Sequence, residues 1–146
     1  MINMTQQIIC ASDHAGIDLR LYLQNMAENW GYTIMDLGPN QAESVDYPDY
    51  ADKLAHVMKK STDKIGLLVC GSGIGISIAA NRHRHIRAAL CHNQLEAALA
   101  RQHNNANVIA FGARLIGQDQ AVAAFKTFLT TPFEGGRHQK RVDKLS

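Results

Sequence analysis

No apolar stretch in this 146-residue chain approaches the roughly 20 residues that a membrane-crossing helix needs. The opening residues, MINMTQQIIC, lack the basic start and apolar run of a secretory leader, so a cytoplasmic protein is expected. Three cysteines, an odd number without such a leader, fit reduced thiols better than a disulfide framework. Aromatic residues make up only 6% and the formal charge is only +2, too little of either for a nucleic-acid surface. There is no internal repeat, low-complexity segment or linker. With 46% hydrophobic and 19% charged residues, one domain over 1–146 with its own core is expected.

The small surplus of positive charge is local. Between Phe133 and Ser146, Arg137, Lys140, Arg141 and Lys144 stand against Glu134 and Asp143, while residues 1–132 balance. A basic tail over 133–146 on a neutral body suits a small anionic ligand better than a polyanion. Arg137 and Arg141 are four apart and would share a helix face. Two forked guanidinium groups suit a phosphate dianion. The preceding Glu134-Gly135-Gly136 supplies flexibility for folding the tail over a ligand.

Short apolar runs alternate with amphipathic stretches. QIICASD (7–13), YTIMDLG (32–38), KIGLLVC (64–70), IRAALC (86–91) and NVIAFG (107–112) read as strands. The third is continuously apolar, as expected of a parallel strand covered on both faces. Helices are expected over 17–30, from Tyr47-Pro48, where proline suits a first turn, over 73–82 and over 94–102. Ala121, Val122, Phe125, Phe128 and Leu129 mark another, and GRHQKRVDKL a last short one. Over 17–30, Leu19, Leu23, Met26 and Trp30 form the apolar face, with Arg20, Gln24 and Glu28 opposite. The alternation predicts a three-layer α/β/α, Rossmann-like fold with a five-stranded parallel sheet.

In such sheets ligands bind beyond the carboxyl ends of the strands. Asp13 and His14 after the first strand, Cys70 at the end of the third and Arg114 past the fifth therefore meet at one rim. Cys70 leads into GSGIGI. This G-x-G-x-G spacing is neither a G-x-G-x-x-G dinucleotide fingerprint nor a Walker loop, which needs a Lys-Ser/Thr pair. Glu96, about 20 residues on, falls inside a helix and not where a ribose-binding acid belongs. A glycine turn opening a helix gathers unpaired amides at the positive end of the macrodipole. Beside a thiol it favours the thiolate and can hold an oxyanion formed next to the sulfur. Removal of a proton alpha to a carbonyl needs that combination. Without such a turn a cysteine closing a buried strand is a packing residue, as Cys10 and Cys91 are expected to be. Among the histidines, His56, His83 and His85 read as solvated. The His-x-His pair in NRHRHIR sits among arginines that repel cations, so no metal is expected there. His14 and His138, beside Asp13 and Arg137, suit an anion, and His92 has no assigned role.

Taken in order, SDHAG, VDYPDYA, CGSGIGISIAANR, RQHNNANVIAFGAR and EGGRHQKRV resemble the ribose-5-phosphate isomerase B family, which includes subunits of galactose-6-phosphate isomerase. The resemblance spans nearly the whole chain. It implies an aldose–ketose isomerase that interconverts D-ribose 5-phosphate and D-ribulose 5-phosphate through an enediolate, with no metal or organic cofactor. It implies that Cys70 is the base moving a proton between carbons 1 and 2. Gly71, Ser72, Gly73, Ile74 and Gly75 would form the loop whose amides hold the enediolate, with the Ser72 hydroxyl handling a proton. Asp13 and His103 would open the sugar ring, with Asn104 on a substrate oxygen. His14, Arg114, Arg137 and Arg141 would clamp the phosphate, and Tyr47 would line the pocket.

Ser72 departs from the threonine commonest in that turn. The hydroxyl is kept and the lost methyl leaves room, so a six-carbon substrate such as allose 6-phosphate stays an alternative. Cys70 itself argues against a galactose-6-phosphate isomerase subunit, since those typically lack it. A sugar-phosphate or nucleotide-binding module without catalysis is the reading from another class. Because His103 closes a helix leading into the fifth strand, it is expected at the opposite edge from Cys70. The expected assembly is therefore a homodimer with composite active sites, or a tetramer of such dimers, with no nucleic-acid or membrane partner.

Overall fold

A computed structural model describes residues 6–146; residues 1–5, part of the stretch read for a leader, lie outside the described residues. Five parallel strands form one sheet in the order β2-β1-β3-β5-β4. They are β1 (Gln7–Ser12), β2 (Thr33–Asp36), β3 (Ile65–Cys70), β4 (Ala88–Leu90) and β5 (Val108–Gly112). The helices are α1 (Ile17–Asn29), α2 (Tyr47–Met58), α3 (Ile74–Asn81), α4 (Gln94–Asn104), α5 (Gln118–Thr130) and α6 (Gln139–Asp143). Short 3-10 turns cover His14–Gly16 and Gly136–His138. No helix among the described residues is long and apolar enough to cross a membrane.

All five expected strands form, with shorter ends. The fourth shrinks to three residues because side-chain amides replace its ladder at the entry. Asn107 Oδ1 accepts the Arg87 N–H at 2.8 Å, and Asn81 brackets Ala88 from both sides.

Strand alternation sorts the core into two layers. Ile8 and Cys10 of β1, Leu67 and Val69 of β3, and Ile109 and Phe111 of β5 pack on α1, α4 and α5. Ile9 and Ala11, Leu68 and Cys70, and Val108 and Ala110 face α2 and α3. The Cys70 side chain thus belongs to the α2–α3 side.

Helix α1 corrects the expected polarity of its faces. Its buried arc runs through Arg20, Leu23, Gln24 and Ala27, whereas Leu19, Met26 and Trp30 are only half covered. Arg20 is fully buried because the carboxyl end of the sheet offers it acceptors. Its guanidinium donates to Ser12 Oγ at 2.8 Å and to the Pro39 carbonyl at 2.7 Å, and lies 3.5 Å from Asp36 Oδ1. A buried charge survives only with partners of this kind.

The basic tail folds back on α4. The Glu134 N–H donates to the Gln102 carbonyl at 3.1 Å, and Val142 of α6 is buried. Gly135 and Gly136 carry φ values of 68° and 53°, giving the bend that the double glycine anticipates.

Candidate active site

The strand order reverses between β1 and β3, and their carboxyl ends form the natural ligand position of such a sheet. Two turns meet there. After β1, the Asp13 N–H donates to the Val69 carbonyl at 3.1 Å. The Asp13 carboxylate Oδ1 then accepts the N–H groups of Ala15 and Gly16 at 3.0 and 3.1 Å. This cap holds a buried acid beside the end of β3.

After β3, the chain turns sharply at Gly73, whose φ of 76° is a left-handed value. The turn aims the Gly73 N–H at Cys70 Sγ, at 3.1 Å. Helix α3 begins at the next residue, and its first internal bond runs from the Ser77 N–H to the Gly73 carbonyl. Ser72 Oγ accepts the Ile74 N–H at 3.2 Å. Two of the loop amides expected to face a ligand are thus satisfied within the loop. The N–H groups of Gly75 and Ile76 have no partner inside the helix, as at any helix start.

Asp13, Tyr47, Cys70, Ser72, Arg114 and Ile78 line a cavity of ≈ 500 Å³, floored by Gly71, Ile74 and Gly75. Gly75 is required for its shape, because a Cβ there would lie 2.6 Å from the Tyr47 ring. Arg114 is held over the loop by its own N–H, which donates to the Gly71 carbonyl at 3.0 Å. A roomier cavity of ≈ 780 Å³ runs past Asp52, His56 and Arg82 to His85, but it joins no nucleophile to a helix start. Chemistry, not volume, marks the Cys70 cavity as the site.

The three thiols differ. Cys10 and Cys91 are buried packing residues, as expected. Burial, with Asp36 adding, pushes the Cys10 thiol far up, and burial, with Glu96 adding, pushes Cys91 up to about 12. Cys70 alone opens on a cavity and meets an amide donor.

The remaining site residues divide between the two ends of the sheet. His14 follows Asp13, and its Nδ1 accepts the Val45 N–H at 3.1 Å, which leaves Nε2 to carry the ring hydrogen. His103 and Asn104 end α4, beyond the amino end of β5, and share no wall with Cys70. Asn104 borders a separate cavity with Asn81, Arg87 and Leu145. Arg137 and Arg141 are exposed on the tail, where Arg141 Nη1 donates to the Arg137 carbonyl at 3.0 Å.

His56 is exposed as expected, whereas His83 and His85 are not simply solvated. His83 Nε2 lies 2.8 Å from Asp52 Oδ1, and His85 Nε2 lies 2.7 Å from the Ala55 carbonyl, so both are half-buried and tie the segment after α3 to α2. Asn93 Oδ1 caps α4 by accepting the Glu96 N–H at 2.8 Å, and His92 Nδ1 lies 3.2 Å from Glu96 Oε1. Ile78 is a wall residue of the Cys70 cavity beyond those expected. Four residues after Ile74 on the same face of α3, it is legible from helical spacing. Glu134 lies outside that cavity, against His103 and His138, and no local pattern announces the contact.

A parallel α/β protein with a thiol at a helix start and a basic tail is thereby defined. The Ribose/Galactose Isomerase family model matches residues 8–145, and the chain belongs to that family. A ribose 5-phosphate isomerase structure from Thermotoga maritima is 47% identical, with a TM-score of 0.93 over 96% of this chain and 97% of that one. Ribose-5-phosphate isomerase B from Mycoplasma genitalium, solved with bound ribulose 5-phosphate, is 41% identical, with a TM-score of 0.92 over 95% and 93%. Ribose-5-phosphate isomerase B of Escherichia coli is 38% identical, covering 97% of this chain and 95% of its own length.

Proposed function

We propose that the chain interconverts D-ribose 5-phosphate and D-ribulose 5-phosphate through an enediolate, with Cys70 as the base and no cofactor. The observation that carries this reading is the Gly73 N–H directed at a sulfur in the cavity wall. The relatives named for that activity, and the ribulose 5-phosphate in the Mycoplasma structure, support the substrate pair.

The open-chain aldose lies with its C2 hydrogen against Cys70. The sulfur, as thiolate, takes that proton. The C–H electron pair becomes the C1–C2 double bond, and the carbonyl pair moves onto O1, where the helix-start amides receive the charge. Returning the proton from sulfur to C1, as O2 gives up its own, yields the ketose. Ser72 carries the hydroxyl proton between O1 and O2. Asp13 and His103 open the ring, and Asn104 holds a substrate oxygen. His14, Arg114, Arg137 and Arg141 bind the phosphate while Tyr47 closes the wall.

This division of labour needs two copies of the chain. Cys70 and Asp13 stand at one edge of the sheet, whereas His103, Asn104 and the tail stand at the other. A homodimer whose α4 end and tail reach the neighbour's Cys70 cavity completes both sites. Exposed apolar side chains on α3 and α4, among them Ile74, Ile78 and Leu95, supply a contact surface. A cytoplasmic setting and a place in the pentose phosphate pathway belong to the same proposal, supported by three free thiols and by the substrate pair.

Turnover of ribose 5-phosphate and allose 6-phosphate by the purified chain tests the activity and ranks the two sugars. Cys70→Ala should lower kcat by about 10²–10⁴-fold while leaving ligand binding in place. A variant as active as the parent would instead favour a binding module. Mixing Cys70→Ala with His103→Ala chains should restore part of the activity, because one site in a mixed dimer is intact. No recovery on subunit exchange would end the shared-site reading.

A further inference from the structure

At the edge remote from Cys70, α4 and the tail gather three ligating side chains. His103 stacks on His138 with ring centroids 4.3 Å apart and planes 14° from parallel. Glu134 Oε1 lies 3.4 Å from His138 Nε2 and 4.0 Å from His103 Nε2. One ligand atom from each falls within 4.8 Å of the other two, and no other group of His, Cys, Asp and Glu among the described residues meets that condition.

The backbone prepares this arrangement. The Glu134 N–H is tied to the Gln102 carbonyl, one residue before His103, and the His138 N–H is tied to the Gly135 carbonyl. The tail cannot leave α4 without breaking the first of these bonds. His138 is the fixed ligand, with its side chain only 12% exposed, while those of His103 and Glu134 are 40% and 51% exposed and able to adjust.

Two imidazoles and one carboxylate are the donor set of sites that hold zinc with three protein ligands and keep a fourth position open. Bonds of about 2.0–2.1 Å to a tetrahedral ion set ligand atoms roughly 3.3 Å apart. The His138–Glu134 pair already has that spacing, and the His103–Glu134 pair has to close by less than an ångström. The half-exposed His103 ring has to turn out of its stack so that both imidazole lone pairs meet at the ion. The His83–His85 pair offers no such opportunity. Its Nε2 atoms are held by Asp52 and the Ala55 carbonyl between two arginines. Beside His138, Arg137 is exposed and can turn to solvent, and Glu134 supplies the opposing negative charge.

We propose that His103, Glu134 and His138 bind a divalent transition-metal cation of the zinc class, and that its binding withdraws His103 from ring opening and so inhibits the isomerase. The inhibitory half rests on the role proposed above for His103; the binding half does not.

Zinc chloride titrated calorimetrically into the full-length Cys70→Ala chain, which lacks the competing thiol, should show one site per chain. Adding Glu134→Gln should weaken binding at least about tenfold, since even outer-shell partners of a metal site are worth about 10–100-fold. In the chain that keeps Cys70, zinc should lower turnover and a chelator should restore it. Glu134→Gln alone should retain turnover while needing at least about tenfold more zinc for the same loss. Zinc affinity that is unchanged by Glu134→Gln overturns the site. Binding that depends on Glu134 but leaves turnover intact overturns the inhibitory half. A metal-free parent chain without isomerase activity overturns the functional reading and leaves the binding test standing.

Discussion

Replacing Gly73 by alanine should damage the fold and the chemistry together. Gly73 has a φ of 76°, where an L side chain meets the following carbonyl at a cost of about 1–2 kcal/mol. Space is short as well. A Cβ there would lie 2.5 Å from Leu90 Cδ1, 2.8 Å from the Phe111 carbonyl carbon and 2.9 Å from the Gly112 nitrogen. Leu90 can rotate away, but the other two atoms are backbone of β5 and cannot. Overpacking of that kind costs about 1–3 kcal/mol. The sum, about 2–5 kcal/mol, corresponds to a fall in Tm of roughly 4–20 °C for a chain of this length. Any backbone shift that relieves the clash also moves the N–H now 3.1 Å from Cys70 Sγ, so kcat should drop with stability. Gly117→Ala is the control, because nothing lies within 4 Å of its Cβ and its φ is −74°. That change should stay within about 1 kcal/mol of the parent. Urea unfolding at one protein concentration, with ribose 5-phosphate turnover on the same samples, measures both effects. A Gly73→Ala chain with the parent's midpoint and kcat would refute the reasoning.

Two further outcomes follow from buried groups. Exposed thiols ionise near 9.0 whereas folded Cys91 is held up to about 12, and Cys10 is displaced in the same direction. The unfolded chain therefore sheds these protons first, and stability that is complete below pH 9 should fall between pH 9 and 12 by about 1.4 kcal/mol per unit for each thiol. Cys91→Ala should flatten that decline in urea titrations, and an unchanged slope would contradict it. Arg20→Met leaves Asp36, Ser12 Oγ and the Pro39 carbonyl without their cation, and should destabilise by about 3–5 kcal/mol. Calorimetry measures it, and a Tm equal to the parent's would show that these contacts contribute nothing.

What could be read before any coordinates were known followed from rules that act along the chain. Continuous apolar runs such as KIGLLVC announce covered parallel strands, and the carboxyl-end rule then brings Asp13, Cys70 and Arg114 to one rim, where they line one cavity. Helix α1 misleads because periodicity counts apolar residues and cannot see an arginine whose acceptors arrive from Ser12, Asp36 and Pro39. The partners of the loop amides are hidden from the sequence for a similar reason. That Cys70 Sγ and Ser72 Oγ each occupy one is a matter of ångströms. The contact of Glu134 with His103 is not legible along the chain because 31 residues separate them, and the Gln102 bond brings them together.

Strand alternation leaves one practical consequence. The full thickness of the sheet stands between the Cys70 sulfur and the surface of α1 and α5. Lys126, exposed on α5 over the Trp30 ring, is therefore a suitable handle for a fluorophore or a solid support. An immobilised molecule tethered there keeps its cavity open to solution.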